Sequence, residues 1–217
     1  MLKVLELFSG TGSIGKVCKE VGYSSLSLDL ELEADININI MDWDYKKYPK
    51  DSFDIIWASP PCVYYSRLQY CWIGRKKKKD HGEITTHETI ERDRKEQDKL
   101  IKRTFEIIEY FQPHYWFMEN PLSCLKDRDV MKDKPYYVVD YCKYCDWGYR
   151  KRTCIWTNRE DFIPLKCHHD CDNLIKGTKK HLKSVDGGKK GVGKQGRTDD
   201  ILERYRIPPE LIYSLLL

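Results

Sequence analysis

Residues 4–21, VLELFSGTGSIGKVCKEV, place a short apolar segment, a glycine-rich turn and a helical pattern in immediate succession. Residues 4–8 form a mostly apolar run that stops at glycines, as a buried parallel strand does. Residues 9–12 supply a tight turn. Residues 13–21 then repeat apolar side chains at helical spacing, namely Ile14, Val17, Cys18 and Val21. This strand–turn–helix unit predicts the start of an α/β domain.

Strand and helix patterns alternate along the remainder of the chain. Apolar runs predict further strands at residues 25–30, 53–58, 115–118, 136–141 and 153–156. Helical periodicity predicts a long helix at residues 93–111, and Pro208 and Pro209 open a short C-terminal helix. The alternation predicts a Rossmann-like, doubly wound and mainly parallel α/β sheet, in which ligands bind at the carboxyl ends of the strands.

The composition is typical of a soluble globular protein. The 217 residues suffice for one well-buried domain with a small appendage, and 41% hydrophobic with 33% charged residues fits that class. No apolar run approaches a membrane span and no export signal is visible, so we expect an intracellular protein, cytoplasmic or in a host cell if viral or phage-encoded. We expect a cofactor-binding catalytic domain over residues 1–159, a small basic, irregular, substrate-facing lobe over 160–200, and a C-terminal helix over 201–217 that returns to the catalytic domain.

The glycine turn has the spacing of a nucleotide-cofactor site. Gly10, Gly12 and Gly15 match a dinucleotide-binding turn, and Asp29 stands near the distance expected for an acid that binds ribose hydroxyls. Because glycine has no side chain, these positions let the backbone approach an adenosine-containing cofactor closely. The same physics serves NAD and S-adenosylmethionine, and a turn needed only for tight packing has the same composition. The motif alone therefore leaves these alternatives open.

Two reactive side chains follow later strands. The sequence SPPC at residues 59–62 places the Cys62 thiol just past the end of a strand, and its two prolines stiffen the approach. Glu119 stands at the end of the next predicted core strand. A thiol and a carboxyl at two strand ends of one sheet can converge on a small ring, where the acid can protonate a ring nitrogen. Simple packing of the thiol and surface exposure of the acid are the alternatives.

The chain resembles the DNA cytosine-C5 methyltransferases, in a small form with a reduced target-recognition region. The family's cofactor loop is similar to the segment that contains Phe8, Ser9, Gly10, Thr11 and Gly12. Asp29 resembles the acid that binds the cofactor ribose in this family, and Asp42 resembles the acid that contacts the adenine. Pro60 is expected beside the cofactor. The catalytic loop looks like Ser59 to Cys62 followed by Ser66, and the family's Glu-Asn pair looks like Glu119 and Asn120. Arg150 and Arg152 resemble the Arg-x-Arg motif.

The resemblance implies S-adenosylmethionine as the cofactor and Cys62 as the nucleophile. The target cytosine is flipped out of the DNA helix, the thiolate adds to C6, and Glu119 protonates or hydrogen-bonds N3 so that C5 accepts the methyl group. Arg150 and Arg152 would support Glu119, contact the base carbonyl and help lower the pKa of Cys62. Asn120 would hold the catalytic loop. An NAD-dependent dehydrogenase would leave Cys62 without a role.

Two basic blocks are expected to contact nucleic acid. Residues 64–91, which include Ser66, are expected to form a mobile lid whose block at 75–79, with Arg75, Lys76 and Lys77, meets phosphate. The second block spans residues 176–197, and a solvated loop is the alternative for each. Only residues 160–200 remain for reading a target sequence. Double-stranded DNA with relaxed specificity is the expected substrate; a protein partner supplying specificity, an RNA or nucleotide substrate, and a degenerate binding subunit are the alternatives.

Nine cysteines are many for a chain without a secretory signal, so reduced thiols are expected. Cys142, Cys145, Cys167 and Cys171 form two close pairs that can close one tetrahedral zinc site and compensate for a thin core in the small lobe. His168, His169 and His181 are substitute ligands. Packing of Cys142 in a strand, with the others incidental, is the alternative.

Overall fold

A seven-stranded sheet lies at the centre of the computed structural model, which describes residues 1–77, 82–185, 196–197 and 201–217. Its strands are β1 (Lys3–Leu7), β2 (Ser24–Asp29), β3 (Ile36–Asn37), β4 (Ile55–Ala58), β5 (Tyr115–Pro121), β6 (Tyr136–Asp140) and β7 (Arg152–Thr157). The spatial order is β3-β2-β1-β4-β5-β7-β6, with β1 to β5 parallel and β7 antiparallel to both neighbours. The predicted mainly parallel α/β sheet is confirmed, with an antiparallel pair at one edge.

The helices among the described residues are α1 (Ser13–Val21), α2 (His87–Phe111), α3 (Ile201–Tyr205) and α4 (Pro209–Leu216). Helix α2 begins six residues before its predicted start, because Thr86 and Thr89 form a capping box in which each side chain accepts from the other residue's backbone N–H. The segment 64–91, predicted to form a mobile lid, therefore includes the first turn of α2 from residue 87 onward. Among the described residues, no helix combines the length and apolar character that a membrane crossing requires.

Helices cover both faces of the sheet. On one face, α2 contributes Ile101, Ile108 and Phe111 to a core that also holds Trp43 and Trp156. On the other face, α1 and α4 pack against Val4, Ile55 and Trp57, and the apolar side chains of these two helices meet in the same cluster. Because the helices pack on the two faces of the sheet, the candidate functional site lies at the carboxyl ends of the parallel strands.

The junction between β1 and α1 depends on a buried acid. The N-cap residue Gly12 offers no side chain, and Glu6 of β1 instead accepts hydrogen bonds from the backbone N–H groups of Ile14 (3.1 Å) and Gly15 (3.0 Å). A Cβ on Gly15 would lie 3.4 Å from Glu6 Oε2 and from Ser25 Oγ, at van der Waals contact with both. Glu6 is only 3% exposed, and burial raises its pKa to about 7.

Strand β5 is longer than the predicted strand at 115–118. Its parallel register with β4 stops at Met118, but antiparallel β7 continues the ladder, pairing Glu119 with Ile155 and Asn120 with Cys154. Glu119 and Asn120 are therefore strand residues rather than loop residues, which gives their side chains defined and opposite directions.

The small lobe is tied to the segment that joins β6 and β7. Its strand β8 (Lys183–Ser184) pairs with β9 (Gly196–Arg197). Asn173 accepts from Gly148 N at 2.7 Å and donates to the carbonyls of Cys142 and Cys145 at 3.1 and 2.7 Å. The lobe thus attaches through backbone hydrogen bonds to one buried amide side chain.

Candidate active site

The Cys62 thiol lies in the loop directly after β4, at the carboxyl edge of the sheet. Cys62 is half-buried and caps a short 3₁₀ turn, Val63–Tyr65. Asn120 of β5 donates its amide N–H to the carbonyl of Pro60 at 2.8 Å, and this bond is buried. The proline carbonyl thereby gains a partner, and the loop that carries Cys62 is held against β5.

Glu119 lies beside the same loop and is 5% exposed. Its Oε1 accepts a hydrogen bond from Tyr141 Oη at 2.8 Å and lies 3.4 Å from Lys151 Nζ. Burial and the neighbouring Glu119 raise the pKa of Tyr141 well above its usual value, so the phenol keeps its proton and acts as the donor. Both partners are on one carboxylate oxygen, so the side chain is held in one orientation.

The electrostatics of Cys62 depend on the same groups. Burial raises the pKa of the thiol above its ordinary value of 9.0, Lys151 opposes this rise, and Glu119 adds to it. The thiol is therefore protonated at neutral pH in the free protein. Lys151 is the cation that favours the thiolate, a role that the sequence had suggested for Arg150 or Arg152.

Arg150 and Arg152 contact Asp140 instead of Glu119, the acid that they were expected to support. Arg150 forms a bidentate pair with Asp140, at 2.7 and 2.8 Å, and Arg152 Nε lies 3.6 Å from the same carboxylate. Burial opposes ionisation of Asp140, but the bonds from Arg150 and from Cys167 N keep its pKa below the usual value. Successive side chains of an extended segment point to opposite sides, so Lys151, between the two arginines, is the residue directed at Glu119.

The turn after β1 has a strained backbone. Phe8, Gly10 and Gly12 have φ angles of 57°, 55° and 65°, in the left-handed region. For Phe8 this conformation costs about 1–3 kcal/mol, which the surrounding fold must sustain. Ser9 Oγ is buried without a hydrogen-bond partner among the described residues. Thr11 contacts the first residue of α1, with its Oγ1 3.1 Å from Ser13 Oγ.

Asp29 ends β2 beside this turn. Its carboxylate accepts from the backbone N–H groups of Gly10 (2.8 Å), Glu31 (2.8 Å) and Leu32 (2.9 Å). About one of the roughly four acceptor positions of a carboxylate remains for a ligand hydroxyl. Asp42 is exposed in the loop after β3. The predicted cofactor residues Phe8 to Gly12 and Asp29 are therefore brought together at the carboxyl ends of β1 and β2.

The predicted lid contains two 3₁₀ turns and a short antiparallel pair of segments. Ser66 Oγ accepts from Leu68 N and caps the second turn, Arg67–Trp72. Arg75 and Lys76 are exposed, whereas Lys77 is paired with Glu83 at 3.1 Å and with Asp93 at 2.5 Å. The positive charge of Lys77 is thus already compensated within the protein. Lys78 and Lys79, and the parts of the basic stretch 176–197 at 186–195, lie outside the described residues.

Helix α3 reaches the site from the C-terminal part of the chain. Lys151 Nζ donates to the carbonyl of Arg204 at 3.1 Å, and Tyr149 Oη donates to that of Glu203 at 3.1 Å. Burial, followed by the charges of Cys62 and Glu31, raises the pKa of Tyr205 at the end of this helix. Sequence reasoning missed Lys151, Tyr141 and Tyr205, and only the alternation of directions around Arg150 could have indicated Lys151.

The predicted metal ligands are brought together in part. Cys142, Cys167, Cys171 and His181 place one ligand atom each within 4.8 Å of one another. Cys145, the fourth predicted cysteine, is not in this group, because its Sγ donates to the carbonyl of Tyr141 at 3.1 Å. His181 takes its place, so the predicted four-cysteine set is corrected to three cysteines and one histidine.

Comparison with known proteins gives one relative along the whole chain. No family model matches. A probable DNA (cytosine-5)-methyltransferase of Frog virus 3 is 40% identical over 222 residues, which cover 99% of this chain and 99% of the relative. The solved structure of the methyltransferase EhMeth from Entamoeba histolytica has a TM-score of 0.51 at 14% identity, over 77% of this chain and 57% of that chain.

The two comparisons carry different weight. The likeness to the solved structure concerns the fold alone. The viral relative is similar from one end of the chain to the other at an identity that defines a family. The chain belongs to the DNA cytosine-C5 methyltransferases.

Proposed function

We propose that the protein transfers a methyl group from S-adenosylmethionine to C5 of cytosine in DNA, through a covalent bond between Cys62 Sγ and C6 of the base. The observation that carries this proposal is the convergence of three groups at the ends of β4 and β5. Cys62 and Glu119 both lie within electrostatic reach of Lys151, and Tyr141 orients the carboxyl. A nucleophile, an acid and a cation around one small space suit addition to an electron-poor ring.

The turn after β1 suits S-adenosylmethionine. The buried Ser9 Oγ lacks a partner that a bound ligand would supply, and the left-handed Gly10 keeps the backbone open to close approach. Asp29 retains room for a ribose hydroxyl, Asp42 is exposed for the adenine amino group, and Pro60 lies on the adjoining loop. When bound there, the cofactor supplies an electrophilic methyl group.

The residues of this chain then divide the proton and electron transfers. The Cys62 thiol loses its proton to solvent, and the thiolate attacks C6 while the ring electrons move toward N3. Glu119 protonates or hydrogen-bonds N3; because Tyr141 and Lys151 occupy Oε1, we assign Oε2 to this task. C5 takes the methyl group from the sulfonium, which leaves as a thioether. Solvent then removes the C5 proton, the Cys62–C6 bond breaks to restore the thiolate, and N3 returns its proton to Glu119.

DNA is the substrate that the charge and shape of the lid favour. Leu68, Tyr70 and Trp72 expose apolar surface on the segment that follows Cys62, next to the exposed cations Arg75 and Lys76. Apolar side chains beside a basic strip suit a base lifted from its stack and the phosphates that flank it. The name of the viral relative points to the same substrate.

The test is transfer of labelled methyl groups to duplex DNA, single-stranded DNA and tRNA in parallel. We expect duplex DNA to be labelled, and Cys62→Ser to abolish transfer while calorimetry still records binding of S-adenosylhomocysteine. Cys124→Ser, at a half-buried cysteine outside the site, is the matched control. DNA containing 5-fluorocytosine should become covalently attached to the wild type.

Each alternative has its own outcome. Undiminished transfer by Cys62→Ser would contradict the covalent mechanism. Labelling of tRNA alone would keep the chemistry and change the substrate. Binding of S-adenosylhomocysteine without transfer to any nucleic acid would identify a binding subunit, and binding of NAD instead would overturn the choice of cofactor.

A further inference from the structure

Four metal-binding side chains from separate segments meet between the sheet and the small lobe. Cys142 lies in the 3₁₀ turn after β6, and the other three belong to the lobe. Cys167 Sγ is 3.6 Å from Cys171 Sγ and 3.6 Å from His181 Nε2, and Cys171 Sγ is 3.4 Å from the same nitrogen. The sulfur separation is far beyond that of a disulfide, which is about 2 Å.

These separations match a tetrahedral zinc site. With zinc–sulfur bonds of about 2.3 Å and zinc–nitrogen bonds of about 2.0 Å, ligand atoms in a tetrahedron lie about 3.5–3.8 Å apart. The distances among Cys167, Cys171 and His181 fall at that spacing, and Cys142 completes the set within 4.8 Å. Three thiolates and one imidazole are a ligand set that favours Zn²⁺ over oxygen-seeking cations.

The small lobe has no apolar core of its own over its described residues 163–185, and Phe162 before them packs into the apolar cluster of α1 and α4. In that range only Cys167, Asn173 and His181 are buried, and none has an aliphatic side chain, while Ile163 and Leu182 are exposed. Two of the three buried residues are therefore members of the cluster. A segment this short and polar requires another source of folding free energy, and a structural metal is a common one.

The ligands are held by surrounding hydrogen bonds, as metal ligands are. Cys167 N donates to Asp140 Oδ2 at 2.8 Å, and Arg150 anchors the same carboxylate. Asn173 is buried and donates to the carbonyl of Cys142. These hydrogen bonds hold the backbone of Cys142 and Cys167 in position beside each other.

We propose that Cys142, Cys167, Cys171 and His181 bind one Zn²⁺ ion that fastens the small lobe to the catalytic sheet. The three thiols lose their protons on binding, and four protein ligands leave no position for a substrate, so the ion is structural. Lys166 of the lobe lines a groove of about 490 Å³ together with Arg150, Arg152 and the Asp140 carboxylate that pairs with both arginines. If the proposed function holds, the ion orders a basic surface for nucleic acid beside the site.

The test is the zinc content and thermal stability of the whole protein purified under reducing conditions. We expect about one zinc ion per chain, a melting temperature that falls by several degrees after chelation, and recovery when Zn²⁺ is added back. Substitution by Co²⁺ should give the absorption spectrum of a tetrahedral thiolate site. These measurements require no variant and no activity, so they remain informative if methyl transfer is not found.

Variants separate the cluster from its neighbours. Cys171→Ser and His181→Ala should lose nearly all bound zinc, and His181→Cys should retain it because a thiolate replaces the imidazole. Cys145→Ser and His168→Ala are matched controls outside the cluster and should keep the zinc content of the wild type. Metal-free wild type whose melting temperature is unchanged by Zn²⁺, or equal loss of zinc in Cys145→Ser, would overturn the proposal.

Discussion

Glu6 should make the stability of the protein fall as the pH rises from 4.5 to 7. The Glu6 carboxyl is buried beneath the N-terminus of α1 and accepts hydrogen bonds from two backbone N–H groups. Burial raises its pKa from 4.5 to about 7. In the unfolded chain the same group titrates at its ordinary value. The folded state therefore holds a proton that the unfolded state has released throughout this interval.

The sign and size of the effect follow from this difference. Below pH 4.5 both states are protonated and the contribution of Glu6 to stability is fully present. Between pH 4.5 and 7 the unfolded chain is increasingly favoured, and the contribution is lost as the pH passes the folded pKa. At 1.36 kcal/mol per pH unit, the free energy of unfolding should fall by about 3 kcal/mol from this group.

Glu6→Gln isolates the contribution because the amide is isosteric and does not titrate. The amide oxygen can accept from Ile14 or Gly15 N, but the NH₂ group cannot accept, so at pH 5 the variant should be less stable than the wild type by about 1–3 kcal/mol. Urea unfolding at pH 5, 6, 7 and 8 should show the variant losing its disadvantage as the pH rises, by about 3 kcal/mol. Glu33→Gln, in an exposed loop, controls for the loss of one negative charge. Parallel curves for wild type and Glu6→Gln would refute the reasoning.

Three further predictions concern the site and the lid. Lys151→Met should lower kcat by roughly 10²-fold, with DNA affinity nearly unchanged, because the cation beside Glu119 is lost. Lys151→Arg keeps the positive charge and should retain most activity. An equal loss of activity in both variants would contradict this prediction. Asn120→Ala should lower the free energy of unfolding by about 1–3 kcal/mol in urea, because the Pro60 carbonyl loses its buried donor; an unchanged midpoint would contradict it. The double variant Arg75→Ala, Lys76→Ala should weaken binding to duplex DNA equally for all sequences. It should also reduce the slope of log affinity against log salt concentration by roughly one per lost phosphate contact. Lys77→Ala should change the affinity and this slope less, because Glu83 and Asp93 already neutralise the charge of Lys77. A change in which cytosines are methylated, at constant affinity, would show instead that the small lobe reads bases.

Local patterns were sufficient for the fold and for the order of the site motifs. The apolar run before the glycine turn and the periodicity of residues 13–21 depend on neighbours a few positions away, and α1 has the predicted bounds. The Cys62 loop follows a strand for the same reason. The start of α2 was missed because a Thr86–Thr89 capping box differs from the usual Ser/Thr–Glu pattern, although the signal was local.

Which side chains meet was decided by the tertiary structure. Glu119 and Asn120 are strand residues because β7, which is distant in sequence, pairs with β5 beyond the end of β4. The direction of the chain at the start of β7 then points Lys151, and not the arginines on either side of it, toward Glu119. His181 replaces Cys145 in the cysteine cluster because a backbone carbonyl engages the Cys145 thiol. The sequence by itself determined the residue types and their order along the sheet. Only the packed chain determined which charge lies against which acid, because such contacts depend on strand register and side-chain direction, which separation along the chain does not specify.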